Sequence, residues 1–280
     1  MAFITRDYLN CVIAIGDETD TPDSPDWVGT GFLVGRPYRK DGIALGNHVF
    51  LVTNKHVIEG MDSFIVRFNP LEGGVIMSHR FVLIDSKNKK RLWTSHLNDD
   101  IDIAAIEVNS GLLHQHKRLF GYFLLDEHLM SFDKMAFISE GDFVYVLGYP
   151  MNLVDPYWHY PIVRSGTVAR IQDMLDDRKL DFLLDVLAFP GNSGSPVILK
   201  PEISGIEGAT PIGTSYVIGI ITSHEVYREV AISPQTGNTR VTFEENSGLA
   251  RALPAKYISE TVEAHFNRMT IGPNHELFWS

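Results

Sequence analysis

Ser193 lies in Pro190-Gly191-Asn192-Ser193-Gly194-Ser195-Pro196, a serine set between glycines. Glycine lets the backbone follow a sharp path that a side chain would obstruct. In such a turn the N–H groups of Gly191 and Ser193 can converge on one point. A hydroxyl beside two convergent N–H groups suits nucleophilic attack on a carbonyl, the hydroxyl forming the new bond and the N–H groups holding the developing oxyanion. The same composition also suits an ordinary Gly/Pro/Asn/Ser surface turn, so the serine needs a base. His56, at the end of the apolar run Leu51-Val52-Thr53-Asn54-Lys55-His56-Val57-Ile58, could take the serine proton and return it to a leaving amine. Asp99, Asp100 and Asp102 are the carboxylates nearby in sequence order that could accept the Nδ1–H bond of that imidazole and stabilise its charged form.

The order histidine, aspartate, serine, with Gly29-Thr30-Gly31-Phe32-Leu33 ahead of it, resembles the trypsin-like serine peptidases. The motifs carrying the resemblance are that glycine-threonine strand, Thr53-Asn54-Lys55-His56-Val57, Asp102-Ile103-Ala104 and Gly191-Asn192-Ser193-Gly194. Each is weak alone; their order is specific, and the resemblance runs from about Tyr8 to about Phe266. It selects Asp102 over Asp99 and Asp100, because Asp102 directly precedes the Ile-Ala pair. It implies a His56–Asp102–Ser193 triad, an oxyanion hole from the backbone of Gly191 and Ser193, and a specificity pocket with its floor around Leu187 and Ala188 and its wall from Thr222, Ser223 and His224. With no acidic residue at the Leu187 floor, the expected residue before the scissile bond is uncharged and of small to medium size. Asn192 departs from the digestive members, which carry aspartate there and pair it with a freshly cut amino terminus. Asparagine is familiar in bacterial peptidases of the high-temperature-requirement type, which the chain resembles more closely.

A different serine chemistry, the α/β-hydrolase elbow, needs Gly-x-Ser-x-Gly between strand and helix. Here Ser195 replaces the second glycine and Pro196 opens the strand-like Val197-Ile198-Leu199, although His224, His265 and His275 do follow the serine. His114, His116 and His128 have no metal-site spacing, so no metal or organic cofactor is expected. Tyr157-Trp158-His159-Tyr160 reads as a packed aromatic loop. From another functional class, a silent member of the same fold that binds peptides without cutting them would share all these motifs, as would an esterase.

Composition narrows the partners. The chain has 280 residues, 44% of them hydrophobic, a formal net charge of −11 and one cysteine, Cys11. Acidity disfavours nucleic acid and anionic membranes, which require a cationic face. The basic cluster Lys87–Arg91 reads as a solvated hairpin tip. A lone cysteine excludes an internal disulfide, and no leader-like amino terminus or spanning apolar run is visible; the expectation is a cytoplasmic location, an exported form trimmed of its leader remaining open. Expected partners are a protein or peptide substrate and a regulatory protein.

The elements that must position these residues read as short strands with glycine and proline punctuation, hence an all-β chain of two antiparallel six-stranded barrels. Residues 1–135 would form the first barrel, with His56, Asp102 and a connector from Asn109 to Met135 containing some helix. Residues 136–280 would form the second, with Ser193. The reading starts a strand at Leu9, places loops at Asp17–Asp26 and Arg36–Asn47, and expects a hairpin turning near Gln235–Asn238. Ile258, Val262 and Phe266, at four-residue spacing, predict a terminal helix over Pro254–Phe266.

Overall fold

In the computed structural model of the protein, residues 4–17, 25–40, 43–202, 204, 206 and 210–270 are described. The first half contains β1 (Val12–Asp17), β2 (Asp26–Lys40), β3 (Ile43–Thr53), β4 (Ser63–Pro70), β5 (Met77–Val82), β6 (Thr94–Ser95), β7 (Ala104–Val108), β8 (Arg118–Leu119) and β9 (Phe123–Leu124). They form a nine-stranded sheet along the path β5-β4-β1-β2-β3-β7-β6, with β8 on β4 and β9 on β2. The second half contains β10 (Phe143–Gly148), β11 (Ile162–Arg170), β12 (Phe182–Asp185), β13 (Pro196–Leu199), β14 (Tyr216–Ile232) and β15 (Thr239–Pro254). These close a barrel in the order β10-β11-β12-β15-β14-β13. The two expected barrels are thus one closed barrel and one half-barrel. Among the described residues the ends of the first sheet do not pair; β6 is two residues long, and the chain after β5 runs into the Lys87–Lys90 tip. There a single bridge joins Ile84 to Arg91, and Asp85 and Lys90 bond through their backbones.

Apolar residues on alternate positions explain why the half-barrel is buried on both faces. Successive strand side chains point to opposite sides. Ile13 and Ile15 of β1, Leu33 of β2 and Leu51 of β3 face the interior of the half-barrel with Phe64, Phe81 and Trp93. Their neighbours Val12, Ala14, Phe32, Val34, Phe50 and Val52 face a second core shared with Leu147, Tyr149, Ile198, Val217 and Ile220 of the other half. The barrel has its own interior of Val144, Val146, Phe182, Leu184, Val197 and Ile218.

The helix Ala255–Thr270 crosses from the second half back to the first. Its predicted stripe is real: Ile258 and Val262 are fully buried in the shared core and Phe266 packs at its margin. Arg36 of β2 meets Glu263 at 2.8 Å and lies over the Phe266 ring, while His265 reaches Thr94 Oγ1 at 2.9 Å.

Three local expectations are corrected. Leu9 closes a one-turn helix, Arg6–Leu9, capped by Thr5, and the strand begins at Val12. Arg36–Asn47 is no loop: Arg36 pairs with His48, Pro37 with Asn47 and Lys40 with Ile43, so β2 and β3 continue as a ribbon. The strand read from the sequence as Tyr216–Thr222 and the hairpin read as Arg228–Phe243 are continuous: β14 runs to Ile232, and its turn to β15 is closed by the Ser233 and Asn238 backbones where the hairpin was expected. The connector holds a helix at Ser110–Gln115 and another at Phe132–Met135. Most of the loop expected over Asp17–Asp26, and His275, fall outside the described residues.

Candidate active site

His56 sits in the one-turn helix Lys55–Ile58 that follows β3, and Asp102 lies two residues before β7. β3 and β7 are hydrogen-bonded neighbours, with Thr53 opposite Ala104, which is why residues distant in sequence meet. Asp102 Oδ2 lies 2.5 Å from His56 Nδ1, and Asp102 Oδ1 accepts the His56 backbone N–H at 3.0 Å. Asn54, fully buried, donates from Nδ2 to the Asp102 carbonyl at 2.7 Å. One carboxylate therefore holds both the ring and the backbone of the histidine. Burial pushes the Asp102 carboxyl up, but the hydrogen bonds from His56 and the charges of His56 and Lys55 outweigh it and hold the group below its ordinary value. The imidazole itself remains half exposed.

Ser193 sits between Gly191 and Gly194, whose φ angles of 95° and 87° fall in the region glycine tolerates. A Cβ on Gly194 would collide with the Thr30 carbonyl, and one on Gly191 with the Tyr149 carbonyl, so both glycines are required by space as well as by φ. The turn is clamped to the half-barrel by Thr30 of β2. Thr30 N–H donates to the Ser193 carbonyl at 2.9 Å, and Thr30 Oγ1 donates to the Gly191 carbonyl at 2.7 Å while accepting the Tyr149 N–H at 3.0 Å. Thr53 Oγ1 donates to the Thr30 carbonyl at 2.7 Å.

Two backbone donors stand out. Met151 N–H holds the Pro190 carbonyl at 2.7 Å, and the C=O and N–H of a trans peptide point in opposite directions, so the Gly191 N–H is turned the other way. Among the described residues, neither the Gly191 nor the Ser193 N–H has an acceptor. Buried N–H groups without partners are rare. Such a pair can receive an anionic oxygen. Asn192, 1% exposed, uses its side chain within the turn: Oδ1 accepts the Phe189 N–H at 3.0 Å.

Ser193 Oγ donates to the Thr222 carbonyl at 3.3 Å, and among the described residues no hydrogen bond joins it to His56. Thr222, where β14 leaves β13, is therefore next to the serine. Ser223 is exposed and His224 half-buried one and two residues further along the strand. Ala188 is buried, its carbonyl taken by Asn246 Nδ2 of β15 at 2.5 Å. Leu187 is 49% exposed, which excludes a place in the barrel core.

Sequence reasoning did not single out the hydroxyl of Thr30, the amide of Asn54 or that of Asn246. Thr30 lay inside a quoted motif, but only the fold reveals that its hydroxyl spans the two halves. No metal-binding group of three or more His, Cys, Asp or Glu side chains occurs among the described residues. His114, His116 and His128 engage rings and backbone instead: His116 stacks on His79, His114 lies against Phe120, and His128 Nδ1 accepts the Leu124 N–H. In the aromatic loop, His159 is buried edge-on to Trp27 and bonded to Asn69, while Tyr157 is exposed.

A half-barrel carrying the His56–Asp102 pair and a closed barrel whose Ser193 turn is clamped to Thr30 of the half-barrel define a chymotrypsin-like fold. The family model of the trypsin-like peptidase domain matches residues 29–202. The chain belongs to the trypsin-like peptidase family. No curated protein matches it in sequence. Similar solved structures include the HtrA-type protease AlgW with decapeptide, at 18% identity and TM-score 0.48, covering 94% of this chain and 66% of that one. Another is the MamO protease domain from Magnetospirillum magneticum in its apo form, at 15% identity and TM-score 0.46, covering 90% of this chain and 95% of that one.

Proposed function

We propose that the protein is a serine endopeptidase that hydrolyses peptide bonds through an acyl-enzyme. The observation that carries this is the double grip of Asp102 on His56. A carboxylate on Nδ1 fixes the tautomer that leaves Nε2 free to accept a proton, and stabilises the imidazolium that results. In the reaction, Ser193 Oγ turns from the Thr222 carbonyl towards His56 and attacks the substrate carbonyl carbon as His56 takes its proton. The C–O bond forms, the carbonyl oxygen becomes the oxyanion, and the Gly191 and Ser193 N–H groups receive it. Collapse breaks the C–N bond, with His56 returning the proton to the leaving amine. Water, deprotonated by His56, then attacks the acyl carbon; the bond from that carbon to Ser193 Oγ breaks, His56 returns the proton to Oγ, and the acid leaves. Thr222, Ser223 and His224 with Leu187 and Ala188 would frame the residue before the cut, which we expect to be uncharged.

A second reading has a specific observation behind it. Ser193 Oγ bonds Thr222 rather than His56, as it would in a silent member that only binds peptides. Catalytic hydrogen bonds in free enzymes often tighten only with substrate, which favours the hydrolase. Incubation with a proteome-derived peptide library separates the two: new termini should accumulate with the wild type and be absent with Ser193→Ala. Equal peptide profiles for both proteins would leave the binding-only reading.

A further inference from the structure

β13 covers β14 only as far as Ile220, with Ser195 bonding the next residue, Ile221. From Thr222 to Ile232, β14 pairs with β15 alone, so among the described residues one edge of this two-stranded ribbon has no strand partner. At about 3.3 Å per residue the open edge is roughly 30 Å long. Long open edges with apolar side chains are templates for another strand, and proteins usually blunt them.

Directly opposed residues share a face, and Tyr227 lies opposite Glu245, Glu229 opposite Phe243 and Ala231 opposite Val241. This face is a checkerboard of aromatics and glutamates leading away from Ser193. Tyr227 is 59% and Phe243 55% exposed. Glu225 pairs with Arg251 and Glu244 with Arg228, and Arg240 adjoins the bulge near the tip. Glu229 and Glu245 are in no ion pair among the described residues.

We propose that the ribbon is a substrate-binding arm that adds an extended, cationic and apolar polypeptide segment as a third strand. The inference rests on the peptidase reading, since β14 runs directly from the Thr222 carbonyl beside Ser193 into the open edge. An antiparallel strand, the more stable pairing, lays the residues preceding the scissile bond along the ribbon, beyond those next to the cut. Its alternate side chains meet the Tyr227–Phe243 surface, and its cations meet Glu229 and Glu245. A second copy of this chain fits worse: it would set the same glutamates against each other on a chain of net charge −11.

The test uses Ser193→Ala protein, which holds a peptide uncut, and fluorescence anisotropy of two labelled peptides, one alternating lysine with valine and one alternating glutamate with valine. The lysine peptide should bind saturably and the glutamate peptide poorly. Glu229→Gln with Glu245→Gln should weaken binding about fivefold at low salt, and Tyr227→Ser with Phe243→Ser should weaken it comparably. Glu229→Lys with Glu245→Lys should invert the preference, which misfolding could not do. Equal binding of both peptides, or ribbon variants that bind like their parent, would overturn the proposal. So would a concentration-dependent dimer dissolved by the same substitutions. Fluorophosphonate labelling of the wild-type protein, read in parallel, separates the two failures. Labelling without ribbon-dependent binding removes the arm and keeps the hydrolase; ribbon-dependent binding without labelling does the reverse for the hydrolysis on which the substrate assignment depends.

Discussion

At Asp102, two opposing effects meet in one carboxylate. Burial alone would favour its neutral form, yet the ring and backbone donors of His56 keep it charged. In the proposed mechanism that charge faces another, the imidazolium formed when Ser193 gives up its proton. Asp102→Asn keeps the shape and removes that partner, so kcat should fall by about 10⁴-fold with KM little changed. A loss of less than tenfold in steady-state kinetics would show that the pair is structural. Ser193→Ala should abolish hydrolysis without unfolding the protein, and adding His56→Ala should cost little more, because members of such a unit act together. Gly194 is where substitution fails for a different reason: any side chain meets the Thr30 carbonyl, so Gly194→Ala should damage the fold and the activity together.

β2 is the element through which the two halves agree on geometry. Thr30 holds the Ser193 turn by its N–H and Oγ1, and its own carbonyl is held by Thr53. Thr30→Val retains the volume but loses both Oγ1 bonds, which should lower kcat about tenfold to a hundredfold while KM stays near that of the wild type. An unchanged kcat would mean that the turn positions itself. The helix Ala255–Thr270 makes the other link, and Ile258→Ala in its buried stripe should cost roughly 2–5 kcal/mol in urea unfolding. These elements were unequally legible. The glycine-threonine strand, the Lys87–Arg91 tip and the terminal helix could be read from glycine positions, clustered charge and four-residue spacing respectively. The β2–β3 ribbon was hidden because Arg36, Pro37, Tyr38 and Arg39 offer no alternation of apolar and polar residues, and none of them is buried. The hairpin near Gln235–Asn238 was legible from its turn residues, but the continuity of β14 from Thr222 into it was not, since a largely exposed ribbon has little burial to impose a period. His56, Asp102 and Ser193 could be singled out because the proposed chemistry restricts such positions to few residue types, and the structure brings the first two together; Thr30 and Asn54 could not, because their hydrogen bonds cross between segments far apart in the chain.

Across the whole molecule, acid should act through buried histidines. His159 and His265, both almost fully buried, and the half-buried His79 have values lowered to about 4, chiefly by desolvation. The unfolded chain takes up protons at these groups near pH 6.5, whereas the folded chain resists until about pH 4. Their stabilisation is therefore fully present above pH 6.5 and is lost as pH falls towards 4. The melting temperature should drop steadily from pH 7 to pH 4.5; a flat profile over that window would contradict these assignments. Asp102 adds to the same direction only at lower pH, below the ordinary carboxylate range, because its folded-state value is depressed.

Hydrolysis as proposed requires a serine made nucleophilic by His56 and two N–H groups able to receive an oxyanion, and a fluorophosphonate tests both at once. Its phosphorus accepts the serine oxygen and expels fluoride, leaving a phosphoryl oxygen where the oxyanion would sit. Intact-mass measurement of the folded protein after such treatment should show one adduct, mapped by peptide sequencing to Ser193. The adduct should be absent in Ser193→Ala and form far more slowly in His56→Ala. A folded wild-type protein that takes up no adduct, or takes it up at the same rate without His56, would contradict the account.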